Sequence, residues 1–320
     1  MIPGAILVFA GAAHAFPTDI LYAFTIWPTW LVLILGLALS MGFKPYRRLL
    51  VLGWLAFAWF FVEEARTIPA MLMPEVHGDL RVVSLNCAGG DPAAAREVAA
   101  FDPDIVLLQE SPGAKDLQAI ARGLFGAEAS VVTGPDAAIL ARGRLVPLPL
   151  PRGTGDYVAA RLDGPVPMNI VSLRLLPPTL RFDLWNPEAW SAYGANRAAR
   201  REELAEIASR LARVEGGIAI LGGDFNTPPD RGITAPISPS LRRRGVGVRL
   251  RQGATDEPLG LADSFRGAGV GHGATAVNPW PLVRIDQIWH GSGLRPVRTA
   301  SYRTRHSDHC LVVADFSRER

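Results

Sequence analysis

The chain has 320 residues, long enough to bury a sizeable core as one large domain or two small ones, which excludes a peptide-sized scaffold. Its 33 Lys and Arg against 30 Asp and Glu leave a formal charge of +3, too slight to mark a nucleic-acid binder by bulk electrostatics, and two cysteines, Cys87 and Cys310, exclude a disulfide-dense scaffold and a cysteine-based zinc site. With 49% apolar and only 20% charged residues, part of the chain must sit in lipid.

The apolar residues are concentrated at the front. Ile2–Phe16 is apolar but short. Ile20–Met41 carries no charged residue over 22 positions, enough to cross about 30 Å of hydrocarbon. Pro28 falls between Trp27 and Trp30, where an interfacial aromatic belt tolerates a break in the backbone ladder. A third run, Leu49–Val62, has 14 residues and can span by tilting or by continuing as a helix. Residues 1–75 therefore read as a membrane anchor with two or three transmembrane helices. Lys44, Arg47 and Arg48 form the basic cluster beside these runs, which places their loop in the cytoplasm and everything after about Pro74 outside it. The expected location is a bacterial inner membrane, with residues 76–320 in the periplasm or outside the cell.

From Leu80 the pattern changes to short apolar strands and helical stretches. Leu80–Leu85 and Ile105–Gln109 read as strands around a helix at Pro92–Ala100. Further strands are expected at Ala137–Leu140, Tyr157–Leu162, Asn169–Leu173, Ile218–Leu221, Arg284–Trp289 and Cys310–Asp315. Asn196–Val214 is the clearest helix, with Leu204, Ile207, Ala208 and Leu211 on one face and Asn196 available as its cap. Arg231–Gly253, which includes Arg242–Arg244, reads as an exposed basic loop.

Polar residues gather at the strand ends. Gly222-Gly223-Asp224-Phe225-Asn226-Thr227-Pro228 follows a strand, and its glycines let the backbone approach whatever binds there. An Asx turn before Thr-Pro-Pro is the competing reading of the same residues. Asn86 ends the first strand and Glu110 follows the second. Asp286, Asp308 and His309 come from Arg284-Ile285-Asp286-Gln287-Ile288 and Ser307-Asp308-His309. Carboxylate and amide oxygens in this number suit a hard divalent ion such as Mg²⁺.

The segments LNC, LQES, GGDFNTP, RIDQI and SDHC, in this order between about Arg81 and Phe316, resemble the endonuclease/exonuclease/phosphatase (DNase I-like) superfamily. The resemblance implies a four-layer α/β sandwich, two mostly antiparallel sheets flanked by helices, with the site where loops meet at one end. It implies cleavage of a phosphate ester with Mg²⁺, or Mn²⁺ in its place. Glu110 would be the principal metal ligand, with Asn86 and Asp308 lending further contacts. Asp224 would orient or deprotonate the attacking water, Asn226 would hydrogen-bond a phosphate oxygen, and His309 would contact the phosphate with Asp286 holding its other ring nitrogen. The resemblance leaves open whether His309 or Asp224 is the base. Where the family has a His-Leu pair, this chain has Arg174, which can clamp a phosphate oxygen but cannot switch protonation state.

The leading expectation is a membrane-tethered phosphoesterase acting on a phosphodiester or phosphomonoester of a lipid, nucleic acid or small molecule. Residues 1–75 contact membrane lipid, and no protein partner is implied. The alternatives are a DNA nuclease, with Arg242–Arg244 as its basic stripe, and a non-catalytic binding module that retains the fold.

Overall fold

The computed structural model describes residues 2–15, 28–74, 76–149, 156–179, 181, 183, 185–229, 232–238 and 259–318. Helices α1 (Ile2–Ala15), α2 (Thr29–Met41) and α3 (Arg47–Phe61) come first. Among the described residues no single helix is long and apolar enough to cross a membrane. Helix α2 and the stretch Lys44–Phe61 pass that test only together, bent by 117° at the break between them. Of the span expected over Ile20–Met41, residues 20–27 lie outside the described residues, and the helix begins at Thr29 because Pro28 cannot donate to its ladder. The basic residues Lys44, Arg47 and Arg48 sit at the bend. The pair closes on Trp54, which is fully buried and donates from Nε1 to Ser40 Oγ at 3.1 Å. A Cβ on Gly36 would lie 2.0 Å from that indole, so the glycine is what lets the helices approach.

The remainder contains strands β1 (Leu80–Asn86), β2 (Ile105–Gln109), β3 (Ala129–Thr133), β4 (Ala137–Arg142), β5 (Leu145–Pro147), β6 (Asp156–Leu162), β7 (Met168–Arg174), β8 (Ile220–Asp224), β9 (Ala262–Asp263), β10 (Asp286–His290), β11 (Leu294–Tyr302) and β12 (Leu311–Arg318). Interspersed are helices α4 (Glu64–Thr67), α5 (Pro92–Arg96), α6 (Ala114–Phe125), α7 (Pro187–Leu211) and α8 (Ser264–Ala268). Two six-stranded sheets form, in the orders β11-β12-β1-β2-β4-β3 and β5-β6-β7-β8-β10-β9. Each is antiparallel apart from one parallel pair, β1 with β2 and β7 with β8. Strands β2 and β8 are buried throughout, as expected of strands covered on both faces.

The sheets pack face to face through Leu107, Ile139, Ile170, Ile220 and Ile288. Helices α5 and α6 cover the outer face of the first sheet, with Leu117, Ile120, Ala121 and Phe125 at helical spacing. Helix α7 covers the second through Leu204, Ile207, Ala208 and Leu211. The order of layers is helix, sheet, sheet, helix.

Several sequence expectations need correction. Helix α7 begins at Pro187, and its cap is Asn186, which accepts from Glu188 N–H at 3.0 Å. An Asn-Pro pair at cap and first position is a helix start in itself. Asn196 lies inside the helix and instead accepts from Thr179 N–H and donates to Pro177 O. The strand expected to stop at Leu221 runs through Gly222 and Gly223 to Asp224. Both glycines are required there: a Cβ on Gly222 would lie 2.7 Å from Leu107 of the facing sheet, and one on Gly223 1.9 Å from Leu173 O. Of the loop expected over Arg231–Gly253, residue 231 and residues 239–253 with Arg242–Arg244 lie outside the described residues, while Ile233 and Ile237 are buried against α7's cluster rather than exposed. Cys87 and Cys310 are both buried free thiols.

Side-chain contacts cross the boundary expected at residue 75. Glu63 pairs with Arg284 at 2.8 Å and with Arg266 at 2.9 Å, and Arg284 also pairs with Asp263 at 2.7 Å. Thr67 Oγ1 donates to Gly271 O at 2.6 Å, and Gly271 N–H donates back to Thr67 O at 2.9 Å.

Candidate functional site

The register of the two parallel pairs and of the antiparallel β8–β10 pair brings the polar residues to one end of the sandwich. Asn86 aligns with Gln109, one residue before Glu110, while Arg174 aligns with Asp224 and Asp224 with Asp286. The two sheets thus present their chemistry at a common edge. Beneath it Gln109 Nε2 donates to Ser172 Oγ at 3.0 Å and ties one sheet to the other.

Asn86 is the bridge at the edge itself. Its Nδ2 donates to Glu110 Oε1 and to Asp224 Oδ2, both at 3.1 Å, while its Oδ1 accepts from Ala88 N–H. Glu110 has φ 44° and Asn226 φ 51°, left-handed conformations that non-glycine residues adopt only when their surroundings enforce them. Gly89 N–H donates to Glu110 Oε2 at 2.6 Å, and Arg174 Nη2 lies 2.7 Å from Glu110 Oε1. Burial alone would raise the Glu110 pKa, but these donors and the guanidinium charge hold it below the ordinary carboxylate value. Arg174 Nη1 donates to Asp136 Oδ2 at 2.9 Å, and its Nε is buried without a partner.

On the opposite side His309 Nδ1 meets Asp286 Oδ2 at 2.8 Å. Burial disfavours the imidazolium, yet the Asp286 charge and hydrogen bond outweigh it and push His309 up to about 10. Asp308, exposed on the rim, adds to that shift. Asp224 is pushed up to about 7, first by burial and then by the charge of Asp286. Its Oδ1 accepts from Asn226 N–H at 2.8 Å, so the Asx turn forms and the carboxylate still faces the site. Asn226 directs Nδ2 to Leu175 O at 2.8 Å, which leaves its Oδ1 on the other side of the amide.

The sequence reading missed the supports. Asp136, just after Gly134-Pro135, carries no sequence signal of a site residue, although it holds Arg174. Ser307 Oγ donates to Asn86 O at 2.7 Å and accepts from His309 N–H at 3.0 Å. Arg200, in the helix expected over Asn196–Val214 but outside its apolar face, is fully buried and donates to Asn226 O. No local signal distinguishes it from its neighbours Arg197 and Arg201.

Donor atoms of Asp224, Asp286 and His309 all lie within 4.8 Å of one another. Asp286 Oδ1 is buried with no partner. The carboxylates of Glu110, Asp136, Asp224, Asp286 and Asp308 outnumber the cations of Arg174 and His309. A cleft so charged and so rich in oxygen donors fits a hard divalent cation.

The layers and this cleft define a two-sheet α/β protein with an acidic site at the strand ends. The model of the Endonuclease/Exonuclease/phosphatase family matches residues 83–309, and the chain belongs to that family. Members of this family hydrolyse phosphoesters and generally depend on a divalent metal. Among solved structures, the fold is similar to an endonuclease/exonuclease/phosphatase from Bacteroides vulgatus, at 15% identity over 75% of this chain and 99% of that one, TM-score 0.51. It is also similar to the human Nocturnin catalytic domain with bound sulfate, at 17% identity over 77% and 97%, TM-score 0.50. A mannosyl-6-phosphatase from Bacteroides thetaiotaomicron is similar at 17% identity over 74% and 99%, TM-score 0.46. Comparison with curated proteins finds none that matches.

Proposed function

We propose that the chain is a divalent-metal-dependent phosphoesterase, cleaving a phosphodiester or phosphomonoester, held by residues 1–75 at a bacterial inner membrane with its site outside the cytoplasm. The observation that carries the chemistry is the buried Asp286–His309 pair facing Asp224, with Glu110 and Arg174 across the cleft. Glu110 would hold the ion, Mg²⁺ or Mn²⁺, with Asp308 lending a further contact from the rim; Asn86 presents its Nδ2 to the site and its Oδ1 to Ala88 N–H, so it could ligate only with its amide turned over. When bound, such an ion polarises a phosphoryl oxygen and offsets its charge. His309 is held as the imidazolium by Asp286, which suits it to the negative charge that develops on the non-bridging oxygens. An imidazolium cannot also accept a proton. Asp224, raised toward neutrality, is the group poised to take it from the attacking water. Asn226 and Arg174 would contact the phosphate, Arg174 as a charged fork already oriented by Asp136.

The membrane assignment is supported by helix α3, which packs Trp54 and Phe57 inward and exposes Leu49, Leu52, Leu55, Trp59 and Phe60. The DNA-nuclease alternative depends on Arg242–Arg244, outside the described residues. A non-catalytic module has no use for a buried, unpartnered carboxylate oxygen and two left-handed side-chain positions at one cleft. The test is hydrolysis of bis(4-nitrophenyl) phosphate and 4-nitrophenyl phosphate by the full chain in nanodiscs. Activity should vanish with EDTA and return with Mg²⁺ or Mn²⁺; hydrolysis of neither ester in the presence of metal would sink the reading. A periplasm-only reporter should be active when fused after Glu75 and silent at Pro45, and the reverse pattern would remove the extracytoplasmic assignment.

A further inference from the structure

Residues 277–282, Val-Asn-Pro-Trp-Pro-Leu, form a small apolar projection beside the site. Val277, Trp280 and Leu282 are 66%, 76% and 50% exposed. The projection is fixed at its base. Ala276 and Val283 pair across its neck, and Trp280 N–H donates to Val277 O at 3.0 Å. Asn278 N–H donates to Asp308 O at 2.7 Å, and its Nδ2 donates to Thr304 O and Ser307 O. Ala276 also bridges to His309, so the projection is a rim of the catalytic cleft.

The chain leaves for this rim, and returns from it, at contacts with the helical segment. Before it, Gly271 bonds Thr67 and the His272 ring meets Trp30 at 5.9 Å. After it, Arg284 is paired with Glu63, one residue past the apolar run that ends at Val62. Trp280 is four residues from Arg284, which an extended chain covers in at most about 14 Å. No acidic residue lies within 277–282. Arg303 stacks on the Trp280 ring at 5.5 Å, and Arg305, His306 and Asp308 are exposed on the same 303–308 loop, where Glu97 accepts from Arg305 N–H and His306 N–H. An exposed tryptophan with apolar neighbours and an arginine stacked on its ring is the composition of a membrane-interface anchor.

We propose that the rim 277–282 seats in the same bilayer that holds residues 1–75, so that the catalytic cleft opens at headgroup depth onto the phosphate esters of lipids. The inference rests on the membrane reading of residues 1–75. It extends that reading, because it makes the bilayer a wall of the active site and not only a tether. A protein partner or a stacked nucleic-acid base would need no such continuity with the apolar helices.

The test is a nitroxide at Val277→Cys in the full chain, incorporated into phosphatidylcholine–phosphatidylglycerol nanodiscs, with Cys87 and Cys310 too buried to label. Collision with oxygen and with aqueous Ni-EDDA is measured by power saturation. The control label is Gly164→Cys in the β6–β7 turn, at the far end of the strands, where a side chain meets open space. The Val277 label should lose most of its Ni-EDDA collisions on incorporation and keep its oxygen collisions, while the Gly164 label stays aqueous. Trp280→Ser in the same background should restore the Ni-EDDA collisions. A Val277 label as accessible to Ni-EDDA as the Gly164 label, in chain that co-floats with the discs, overturns this inference alone. Protection that appears only when DNA or a protein is added overturns it as well. A chain that does not co-float overturns the membrane reading and this inference with it.

Discussion

Replacing Glu63 by Gln should loosen the contact between the helical segment and the sandwich. In the folded chain Glu63 accepts from Arg284 Nη2 at 2.8 Å and Nε at 3.2 Å, and from Arg266 Nε at 2.9 Å. Burial would raise the Glu63 pKa, but the two guanidiniums outweigh it and bring it from 4.5 to about 2. At about 1.4 kcal/mol per pKa unit, a shift of that size corresponds to about 3 kcal/mol. The Glu63 side chain is 22% exposed, and solvent screening reduces the figure to about 2 kcal/mol. Arg284 keeps Asp263 at 2.7 Å in the variant, so the loss stays below the roughly 3–5 kcal/mol of a buried charge left alone. The reporter is the Gly271 amide, which donates to Thr67 O across this junction. Hydrogen exchange of the full chain in nanodiscs should show peptides over 268–273 exchanging about 30-fold faster in Glu63→Gln, following from about 2 kcal/mol, with β1 and β12 unchanged. The pH sign follows from the depressed pKa: the stabilisation is in place above 4.5 and is lost as pH falls through about 2, so wild type should approach the variant at the acid end. An unchanged exchange rate at Gly271 in Glu63→Gln would show that the pair does not hold the junction.

His309→Ala should lower kcat by about 10³-fold, the scale of losing a preorganised charge-stabilising group; near-normal kcat would mean that the cleft is not the active site. Asp286→Asn should cost roughly 10–100-fold. Activity should fall in wild type as pH rises through about 10, where the imidazolium is lost, and in Asp286→Asn that limb should move to lower pH. A limb that stays in place would dissociate His309 from the rate. Glu110→Gln should bind metal more weakly and be partly rescued by excess Mg²⁺ or Mn²⁺, read by metal titration of the rate. Arg174→Lys keeps the charge but cannot bridge Glu110 and Asp136 as a fork, so it should raise KM for the ester more than it lowers kcat.

The elements most legible in the sequence were those whose signal is local. Ile105–Gln109 is a buried five-residue strand with the bounds its apolar run gives. Helix α6, in contrast, went unread: Leu117, Ile120, Ala121 and Phe125 are diluted by charged and small residues, and only the sheet beneath shows which face is buried. Strand β11, with Arg295, Arg298 and Pro296, lacks alternation because it lies at an edge and carries a bulge between Pro296 and Arg298. The motif residues were visible as types at strand ends, but their pairing was not. That Asp136 holds Arg174, or that buried Arg200 reaches Asn226, depends on turns and helix faces that meet only after the sheets stack.

The site's geometry is a consequence of that stacking. Glu110 follows a strand of the first sheet and Asp224 ends a strand of the second, and a single amide hydrogen-bonds both. The distance between these carboxylates is thus set by how closely the sheets approach, which depends in turn on Gly222 lying against Leu107 and on Gln109 reaching Ser172. Burial, and then the charge of Asp286 beside it in the same sheet, displace Asp224 toward neutrality, while the Asn86 donor that spans the two sheets works against them and favours the carboxylate. Glycine in β8 is therefore chemistry as much as packing. A larger residue there would part the sheets and lengthen the Asn86 bridge, which takes away a donor that favours the charged form of Asp224 and leaves Asp286 beside it in the same sheet, so that less of Asp224 is the carboxylate needed to take a proton from water near neutral pH.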